Sequence, residues 1–316
     1  MAQAINLTQL VGELIAFSYR QGDQEAATAD FIIAILSEHG ISVTAHDFST
    51  SVPRVREAFL TVDGKSIPCG GCSFVSGVIE GKDHIISSLV WAPALLDVPN
   101  ISFNPQCAGI SLSNFYFAPA VAISRESVPA VLAGQNVRAE VNVDKYDFRS
   151  KNILVGNTAN PRNIVFTHYD SIHTGAVDNA SGVAVVLNAL VARPELLAHT
   201  LYVIAGNEEL SYDRPTYWGR GYRAFERDFG SLLGKCEKII VIDSVGNGPA
   251  FVDQNPELVY LGFPLSRIDS FQKKIWMIYG DMKQLMRVYH SPLDTADGVT
   301  EEFLQDALRK MVRELA

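Results

Sequence analysis

Short apolar runs in the second half of the chain constrain its fold more than any other feature. They lie near residues 153–156, 163–167, 200–205, 238–242 and 275–279. Runs of this length, bounded by turn formers, are typical of strands that are buried on both faces of a sheet. Helical patterns lie between or after them, near residues 180–192, 219–228 and 301–314. The alternation predicts an α/β fold in which helices sandwich a mostly parallel central sheet.

The first half of the chain predicts that this layered domain is discontinuous. Helical patterns at residues 8–18 and 24–39 precede an alternating strand at 41–48, and all three suit the same layers. Residues 51–144 differ, because short β-like runs are separated there by turns rich in Gly, Pro and Ser. We expect one domain formed by residues 1–50 and 145–316, with a small β-rich domain of residues 51–144 inserted into it.

Composition argues against two classes of partner. The formal net charge is −9 at pH 7, and the 26 lysines and arginines form no basic block, which argues against nucleic acid. No apolar run approaches the ~20 residues that span a bilayer, so we expect no membrane insertion. The segment Met1–Leu10 lacks the pattern of a signal peptide, and a cytoplasmic location is therefore the default expectation.

Histidines and carboxylates follow the predicted strands at the points where the strands end. In chain order they are His168, Asp170, Asp178, Glu208, Glu209, Asp243 and His290. In open α/β sheets, ligands bind at the carboxyl ends of the strands. Imidazole nitrogen and carboxylate oxygen are also the ligands that zinc accepts in catalytic sites. The sequence therefore predicts a metal site at one edge of the sheet.

The number of these residues suits two metal ions. Two metals roughly 3.5–4 Å apart need a bridging carboxylate and terminal ligands on each side. Asp178 is the predicted bridge, with His168 and Asp243 on one metal and Glu209 and His290 on the other. The predicted cofactor is thus two Zn²⁺ ions per chain.

Two acids remain for catalysis and orientation. Glu208 is free to take a proton from the attacking water, and Asp170 is close enough in sequence to accept the second N–H of the His168 imidazole. Taken singly, each group has a plainer explanation, such as a surface histidine, a solvated Glu-Glu helix start or an N-cap aspartate. Taken together they favour a site, because each group follows a different predicted strand.

The motifs around these residues resemble one family. They are His168-Tyr-Asp170, Gly175-Ala-Val-Asp-Asn-Ala-Ser-Gly182, Asn207-Glu-Glu209, Ile242-Asp-Ser244 and Tyr289-His-Ser-Pro-Leu-Asp-Thr295. They resemble the dinuclear zinc exopeptidases typified by bacterial leucyl aminopeptidase and aminopeptidase Y. Glutamate carboxypeptidase, glutaminyl cyclase and the non-catalytic transferrin receptor ectodomain share that fold. Residues 119–129 look like part of the protease-associated domain that is often inserted there.

The resemblance implies a zinc-dependent aminopeptidase that acts on peptides. It implies the same metal ligands and adds Tyr289 as a hydrogen-bond donor to the developing oxyanion. It also implies a cis peptide bond between Asp178 and Asn179. Three alternatives stay open at this point: a carboxypeptidase, a glutaminyl cyclase, which uses one zinc, and a binding module without activity.

The residues that would separate these alternatives are not fixed by the sequence. A carboxypeptidase needs a basic clamp, for which the candidates are Arg214, Arg220, Arg223 and Arg267. An aminopeptidase needs an acid for the free amine, for which they are Glu208, Glu209 and Asp213. Five aromatic residues either form the wall of a substrate pocket or belong to the core, and the sequence leaves both alternatives open: Tyr212, Tyr217, Trp218, Tyr222 and Phe225. His173 is a loop histidine or a substrate contact.

The cysteines give a weak signal. Cys69 and Cys72 have CxxC spacing, but no second pair follows at the spacing of a zinc finger. We expect two structural thiols in a turn, and the alternative is a disulfide or a minor metal clip that includes Cys107.

Overall fold

The structure is a computed structural model that describes residues 5–90 and 92–316. Residues 1–4, on which the expectation about a leader partly rests, lie outside the described residues. The strands are β1 (Val43–Val62), β2 (Lys65–Ser66), β3 (Gly70–Gly71), β4 (Gly77–Glu80), β5 (Ile85–Ser87), β6 (Asn100–Phe103), β7 (Ala120–Ile123), β8 (Val137–Gly156), β9 (Asn163–His168), β10 (Thr200–Ala205), β11 (Lys238–Ile242), β12 (Phe251–Asp253) and β13 (Ile275–Tyr279). The helices are α1 (Leu7–Ile15), α2 (Asp23–Glu38), α3 (Val128–Ala133), α4 (Ser181–Ala192), α5 (Arg220–Lys235), α6 (Pro256–Gly262), α7 (Met282–Leu285) and α8 (Glu301–Leu315).

The larger sheet is mixed, with the strand order β12-β13-β11-β9-β10-β8-β1-β2, and β4 also pairs with β8. The apolar runs predicted as parallel strands form its centre, because β13, β11, β9 and β10 are mutually parallel neighbours. Every other pair in this sheet is antiparallel. The expectation of a mostly parallel sheet is therefore not confirmed. The long strands β1 and β8 extend it with antiparallel pairing.

Helices cover both faces of the central strands, as the apolar runs predict. Successive side chains of a strand point to opposite faces. In β9, Val165 joins the core beneath α1, α2, α4 and α8, while Ile164 and Phe166 join the core beneath α5 and α6. The α4 sequence is apolar on nearly all sides because this helix lies between the sheet and the helices α1 and α8.

The strands β1 and β8 pair along almost their whole length, from Val43 opposite Val155 to Val62 opposite Val137. A second sheet, with the order β3-β7-β6-β5, lies within residues 51–144. Both boundaries predicted for the inserted domain fall inside the two long strands, so the sheet is continuous across them. The division into domains stays a prediction. Within residues 5–90 and 92–316, no helix is both long and apolar enough to cross a membrane.

All four cysteines are free thiols, which excludes the disulfide in this structure. Cys69 and Cys72 flank β3 rather than a turn. The Cys72 thiol is buried and lies 3.6 Å from the Ser102 hydroxyl, and burial raises its pKa to about 12. The pair is therefore part of the packing of the smaller sheet.

Candidate metal centre

The order of the strands brings the predicted ligands together. The parallel neighbours β11, β9 and β10 all end at the same edge of the sheet. His168 is the last residue of β9, Asp243 directly follows β11, and Glu208 and Glu209 lie in the turn after β10. Groups that are far apart in sequence become neighbours because parallel strands share one carboxyl-terminal edge.

The five predicted metal ligands form two sets that share Asp178. His168 Nε2 lies 3.4 Å from Asp178 Oδ1 and 3.6 Å from Asp243 Oδ1. His290 Nε2 lies 3.5 Å from Asp178 Oδ2 and 2.9 Å from Glu209 Oε2. The two oxygens of one carboxylate thus face two different histidines, and each histidine has a further acid of its own.

These separations suit ligands of a shared metal better than hydrogen bonds. Two tetrahedral zinc ligands, each about 2.0–2.1 Å from the ion, are about 3.3–3.4 Å from one another. Three of the four separations are 3.4–3.6 Å, beyond the usual N–H···O range. His290 Nε2 and Glu209 Oε1 are buried and have no hydrogen-bond partner. Buried imidazole nitrogens and carboxylate oxygens that are left without hydrogen-bond partners fit residues that hold a metal ion.

The electrostatics of the centre favour a cation. Burial raises the pKa of Glu208 well above its usual range, against the opposing charge of His168. Burial likewise raises the pKa of Glu209 to about 7, although the His290 charge opposes the shift. Burial would lower the pKa of His290, but the Glu209 and Asp178 carboxylates raise it to about 10. Despite burial, His168 and His290 hold the pKa of Asp178 well below its usual range. Without a metal, buried acids and imidazoles must share protons, and a divalent ion would replace those protons.

Asp170 has a structural role that the sequence did not reveal. Its carboxylate accepts the backbone N–H groups of Glu208 and Glu209, each at 2.9 Å, and the side-chain N–H of Gln21 at 3.0 Å. The distance from Asp170 Oδ1 to His168 Nδ1, the predicted contact, is 3.5 Å, and this nitrogen makes no hydrogen bond. Asp170 therefore fixes the turn that carries the predicted base and a metal ligand.

Asp178, the predicted bridge, is held from both sides. Asp294 is buried and accepts the backbone N–H groups of Val177 at 2.8 Å and Asp178 at 3.1 Å. The peptide bond between Asp178 and Asn179 is cis, as the resemblance implies. The Asn179 side chain donates to the Ile242 carbonyl at 3.1 Å and so ties this segment to the end of β11. Asp294 stands in the Tyr289–Thr295 motif, but nothing in that motif indicated which backbone groups it binds.

Arg20 is the residue near the centre that sequence reasoning missed altogether. Its side chain is fully buried and donates to the carbonyls of Tyr169, Thr174 and Gly175 at 2.6, 2.9 and 2.8 Å. These carbonyls belong to the loop between His168 and Asp178. No sequence pattern signalled the contact, because Arg20 precedes that loop by about 150 residues.

A cavity of about 330 Å³ opens beside the candidate ligands. All five ligands line it, together with Glu208, Tyr289 and the aromatic pair Tyr217 and Trp218. Its apolar wall comes from α6, β13, α7 and the residue after α7: Leu258, Leu261, Met277, Met282, Leu285 and Met286. The region predicted to be an insertion, residues 51–144, contributes Ser88, Leu89, Ser113 and Asn114 to the lining. In the described part of the chain, the residues that line this cavity include no lysine and no arginine.

The candidate arginines for a substrate carboxylate, and Asp213 among the candidate acids for a substrate amine, are not among the residues that line the cavity. The arginines pair with acids outside the cavity: Arg214 with Asp97, Arg220 and Arg223 with Asp213, and Arg267 with Glu226. Asp213 is therefore neutralised by two arginines. Of the acids proposed for a substrate amine, only Glu208 and Glu209 line the cavity.

The aromatic residues divide between cavity and core. Tyr222 and Phe225 pack edge-on against Phe166 in the core. Tyr212 packs against Phe74 and donates to the Phe74 carbonyl at 3.0 Å. His173 packs against Tyr19 in a tilted arrangement, with ring centroids 4.6 Å apart, and is not among the cavity residues. Tyr289 lines the cavity, and its ring stacks on the imidazole of His290.

One family model matches part of the sequence. The model of Peptidase family M28 matches residues 134–234, about a third of the 316-residue chain. The matched region contains the segments that carry His168, Asp178, Glu208 and Glu209. A sequence search of the curated proteins gave no match.

Solved structures share the fold at low sequence identity. A zinc aminopeptidase from Bacillus subtilis is 17% identical, with a TM-score of 0.66, over 97% of this chain and 94% of that one. An aminopeptidase from Aneurinibacillus sp. strain AM-1 is 16% identical, with a TM-score of 0.63, over 98% and 94% of the two chains. A glutaminyl cyclase from Porphyromonas gingivalis is 15% identical, with a TM-score of 0.52, over 98% and 96%. Part of the sequence thus matches Peptidase family M28, and the fold is similar to those of zinc aminopeptidases. Together these findings support a metallopeptidase hydrolase.

Proposed function

We propose that this protein is a zinc-dependent exopeptidase, specifically an aminopeptidase that uses two zinc ions. The observation that carries the proposal is the position of Asp178, whose two oxygens face His168 and His290 separately. Asp243 would complete one metal site and Glu209 the other. A single metal would leave one of these histidine–acid pairs buried without a cation between its members.

The residues around the centre have distinct roles in peptide hydrolysis. When bound, zinc lowers the pKa of water toward ~7 and polarises a substrate carbonyl. Glu208 is buried, lines the cavity and carries a raised pKa, which suits a base that takes a proton from the attacking water. The same carboxyl then returns that proton to the leaving amine. Tyr289 would donate a hydrogen bond to the oxygen that becomes negative during the attack.

The cavity favours an aminopeptidase over a carboxypeptidase. A carboxypeptidase must bind a terminal carboxylate, yet no cationic side chain is among the described cavity residues. A free amine would find Glu208 and Glu209 there. The apolar wall of leucines and methionines suits a large apolar first residue, such as leucine, methionine or phenylalanine. We therefore propose peptides with such a residue at the amino terminus as substrates.

A glutaminyl cyclase is the second candidate, because one of the similar structures is such an enzyme. Cyclase chemistry uses one zinc, and the two histidine–acid pairs count against it. We also propose that residues 1–50 and 145–316 form the catalytic domain and that residues 51–144 are an insertion resembling a protease-associated domain. We propose peptides as the partners, which the substrate panel below would test.

The experiment combines one substitution with two measurements. Glu208→Gln should lower the hydrolysis of aminoacyl-nitroanilides by roughly 10²–10⁴-fold, because it removes a general base. Zinc content should stay near two per chain, because Glu208 is not one of the ligands. Glu226→Gln is a matched control, since Glu226 is also buried but receives the Ser266 and Arg267 N–H groups outside the cavity. Substantial activity in Glu208→Gln would remove this residue from the role of base.

A substrate panel separates the candidate activities. The aminopeptidase proposal expects cleavage of unblocked leucyl substrates, no cleavage of N-blocked peptides and no cyclisation of glutaminyl peptides. Release of carboxyl-terminal residues from N-blocked peptides would support the carboxypeptidase instead. Absence of bound zinc after reconstitution would support a binding module.

A further inference from the structure

The loop that carries His290 is a series of turns, with bonds such as those from the Tyr289 N–H to the Leu285 carbonyl and from the Ser291 N–H to the Val288 carbonyl. We call residues 286–291 the ligand loop; it follows α7, a helix of only four residues. His290 has a positive φ of 48°, in the left-handed region that non-glycine residues rarely occupy. Such a conformation persists only where surrounding contacts fix it. The contacts that fix His290 therefore decide whether its imidazole faces Asp178 and Glu209.

Besides the turns of its own loop, His290 is held by contacts from the inserted segment. We call residues 104–113 the insert loop; it follows β6 of the smaller sheet. The Leu112 N–H donates to the His290 carbonyl at 2.8 Å, and the Ser111 hydroxyl donates to the Tyr289 carbonyl at 2.6 Å. His290 Nδ1 lies 3.2 Å from the Leu112 carbonyl oxygen. The insert loop thus binds both the backbone and the ring of the ligand residue.

The contact with the Leu112 carbonyl has a chemical consequence. A carbonyl oxygen only accepts hydrogen bonds, so His290 Nδ1 must carry the proton. In a neutral imidazole the lone pair is then on Nε2, the atom that faces Asp178 and Glu209. A metal-ligating histidine is usually oriented in this way by an acceptor at its other nitrogen. Here the inserted segment supplies that acceptor.

Asn104 connects the two loops through both ends of its amide. The side chain is buried, and its Nδ2 donates to the Met286 carbonyl of the ligand loop at 3.0 Å. Its Oδ1 accepts the backbone N–H groups of Gln106 at 2.9 Å and Cys107 at 3.3 Å, which shape the insert loop. One amide therefore fixes the conformation of the insert loop and its distance from the ligand loop.

We propose that the insert loop positions His290 for metal binding and that Asn104 is the positioning residue that joins the two loops. The proposal rests on the proposed dizinc function. It assigns the inserted segment a direct part in building the metal centre, beyond lining the cavity. The site that would depend on the insert loop is the one formed by Glu209 and His290, not the one formed by His168 and Asp243.

The test is the substitution Asn104→Asp. The carboxylate keeps an acceptor for Gln106 and Cys107 but replaces the donor to Met286 with an oxygen. We expect competition titration with a chelator to show one zinc bound about 10–100-fold more weakly and the other unchanged. The matched control is Asn100→Asp, because Asn100 is fully buried in β6 and its amide donates to the Val98 carbonyl inside the inserted segment. In the control, the ratio of the two zinc affinities should be the same as in the wild type.

A second readout does not depend on metal. In the zinc-free protein, hydrogen–deuterium exchange of peptides covering residues 286–293 should rise in Asn104→Asp and not in Asn100→Asp. Ser111→Ala removes only a hydroxyl and serves if Asn104→Asp does not fold; it should shift both readouts in the same direction by less. If Asn104→Asp binds both zinc ions as tightly as the wild type and its hydrogen–deuterium exchange is unchanged, the positioning role is overturned. Wild-type protein that binds fewer than two zinc ions would instead contradict the dizinc proposal, and the exchange measurement would still decide the positioning.

Discussion

Replacing Arg20 with methionine tests whether one buried cation holds the loop that carries the bridging ligand. Arg20 is fully buried, and burial lowers its pKa only to about 10, so the guanidinium stays charged at neutral pH. It donates to the carbonyls of Tyr169, Thr174 and Gly175. Methionine has a similar length and no donors, so Arg20→Met removes these bonds while most of the volume stays filled.

The expected cost follows from two opposing terms. Three hydrogen bonds from a charged donor contribute about 1.5–3 kcal/mol each, or roughly 5–9 kcal/mol together. Removing a buried ion recovers several kcal/mol of desolvation. The net loss of unfolding free energy should therefore be about 3–5 kcal/mol, as for other buried charges that lose their partners. The Tyr169 and Gly175 carbonyls dominate this loss, because their bonds to Arg20 are buried, whereas the bond to Thr174 is partly accessible to water.

The assay is urea unfolding of the zinc-free protein, followed by zinc titration. The matched control is Arg227→Met, since Arg227 is largely exposed and bonds its neighbour Asp228. The control should change the unfolding free energy by less than about 1 kcal/mol. Zinc affinity should fall in Arg20→Met and not in the control, because the loop between His168 and Asp178 loses its support. A loss below about 1 kcal/mol in Arg20→Met would refute the reasoning.

Three further predictions concern the metal centre and the cavity. Asp294→Ala leaves the Val177 and Asp178 N–H groups without their acceptor. At about 1–3 kcal/mol for each buried group, urea unfolding should show a loss of about 2–6 kcal/mol, and an unchanged midpoint would contradict the role of Asp294. Zinc removal by a chelator should abolish peptide hydrolysis. Free zinc at 100 times its Kd should then restore about 2.7 kcal/mol of unfolding free energy per site. A thermal unfolding midpoint that is insensitive to zinc would argue against a metal centre. Leu258→Asp places a carboxylate in the apolar wall of the cavity. The kcat/KM for leucyl-nitroanilide should therefore fall by about 10–100-fold, while that for lysyl-nitroanilide rises. Equal changes for both substrates would show that this wall does not bind the first residue.

The sequence predicted the central strands well because each is a local pattern. The runs that became β9, β10 and β11 are apolar on both faces, and only a strand covered by two helix layers tolerates that composition. His168, Glu208, Glu209 and Asp243 could be singled out for a related reason, since they stand at or just after the ends of such runs. Asp178 and His290 lie in loops well beyond the nearest strand, and only the motifs around them marked them as candidates. The ends of β1 and β8 were not predictable. Their distal halves, near residues 51–62 and 137–147, pair mainly with each other. The change in composition near residue 51 therefore resembled the end of a strand.

The sequence by itself determined the parts of the candidate centre: two histidines, the predicted bridging acid and the acids beside them, several of them at the ends of strands. Only the tertiary structure decided how these parts are held. Asp170 beneath the Glu208–Glu209 turn, Arg20 behind the loop to Asp178, and Leu112 against His290 act through backbone groups. Every residue has a backbone N–H or carbonyl, so such contacts leave no signature in the sequence. They arise only when distant segments pack together, which is why the ligands were predictable from the sequence and their supports were not.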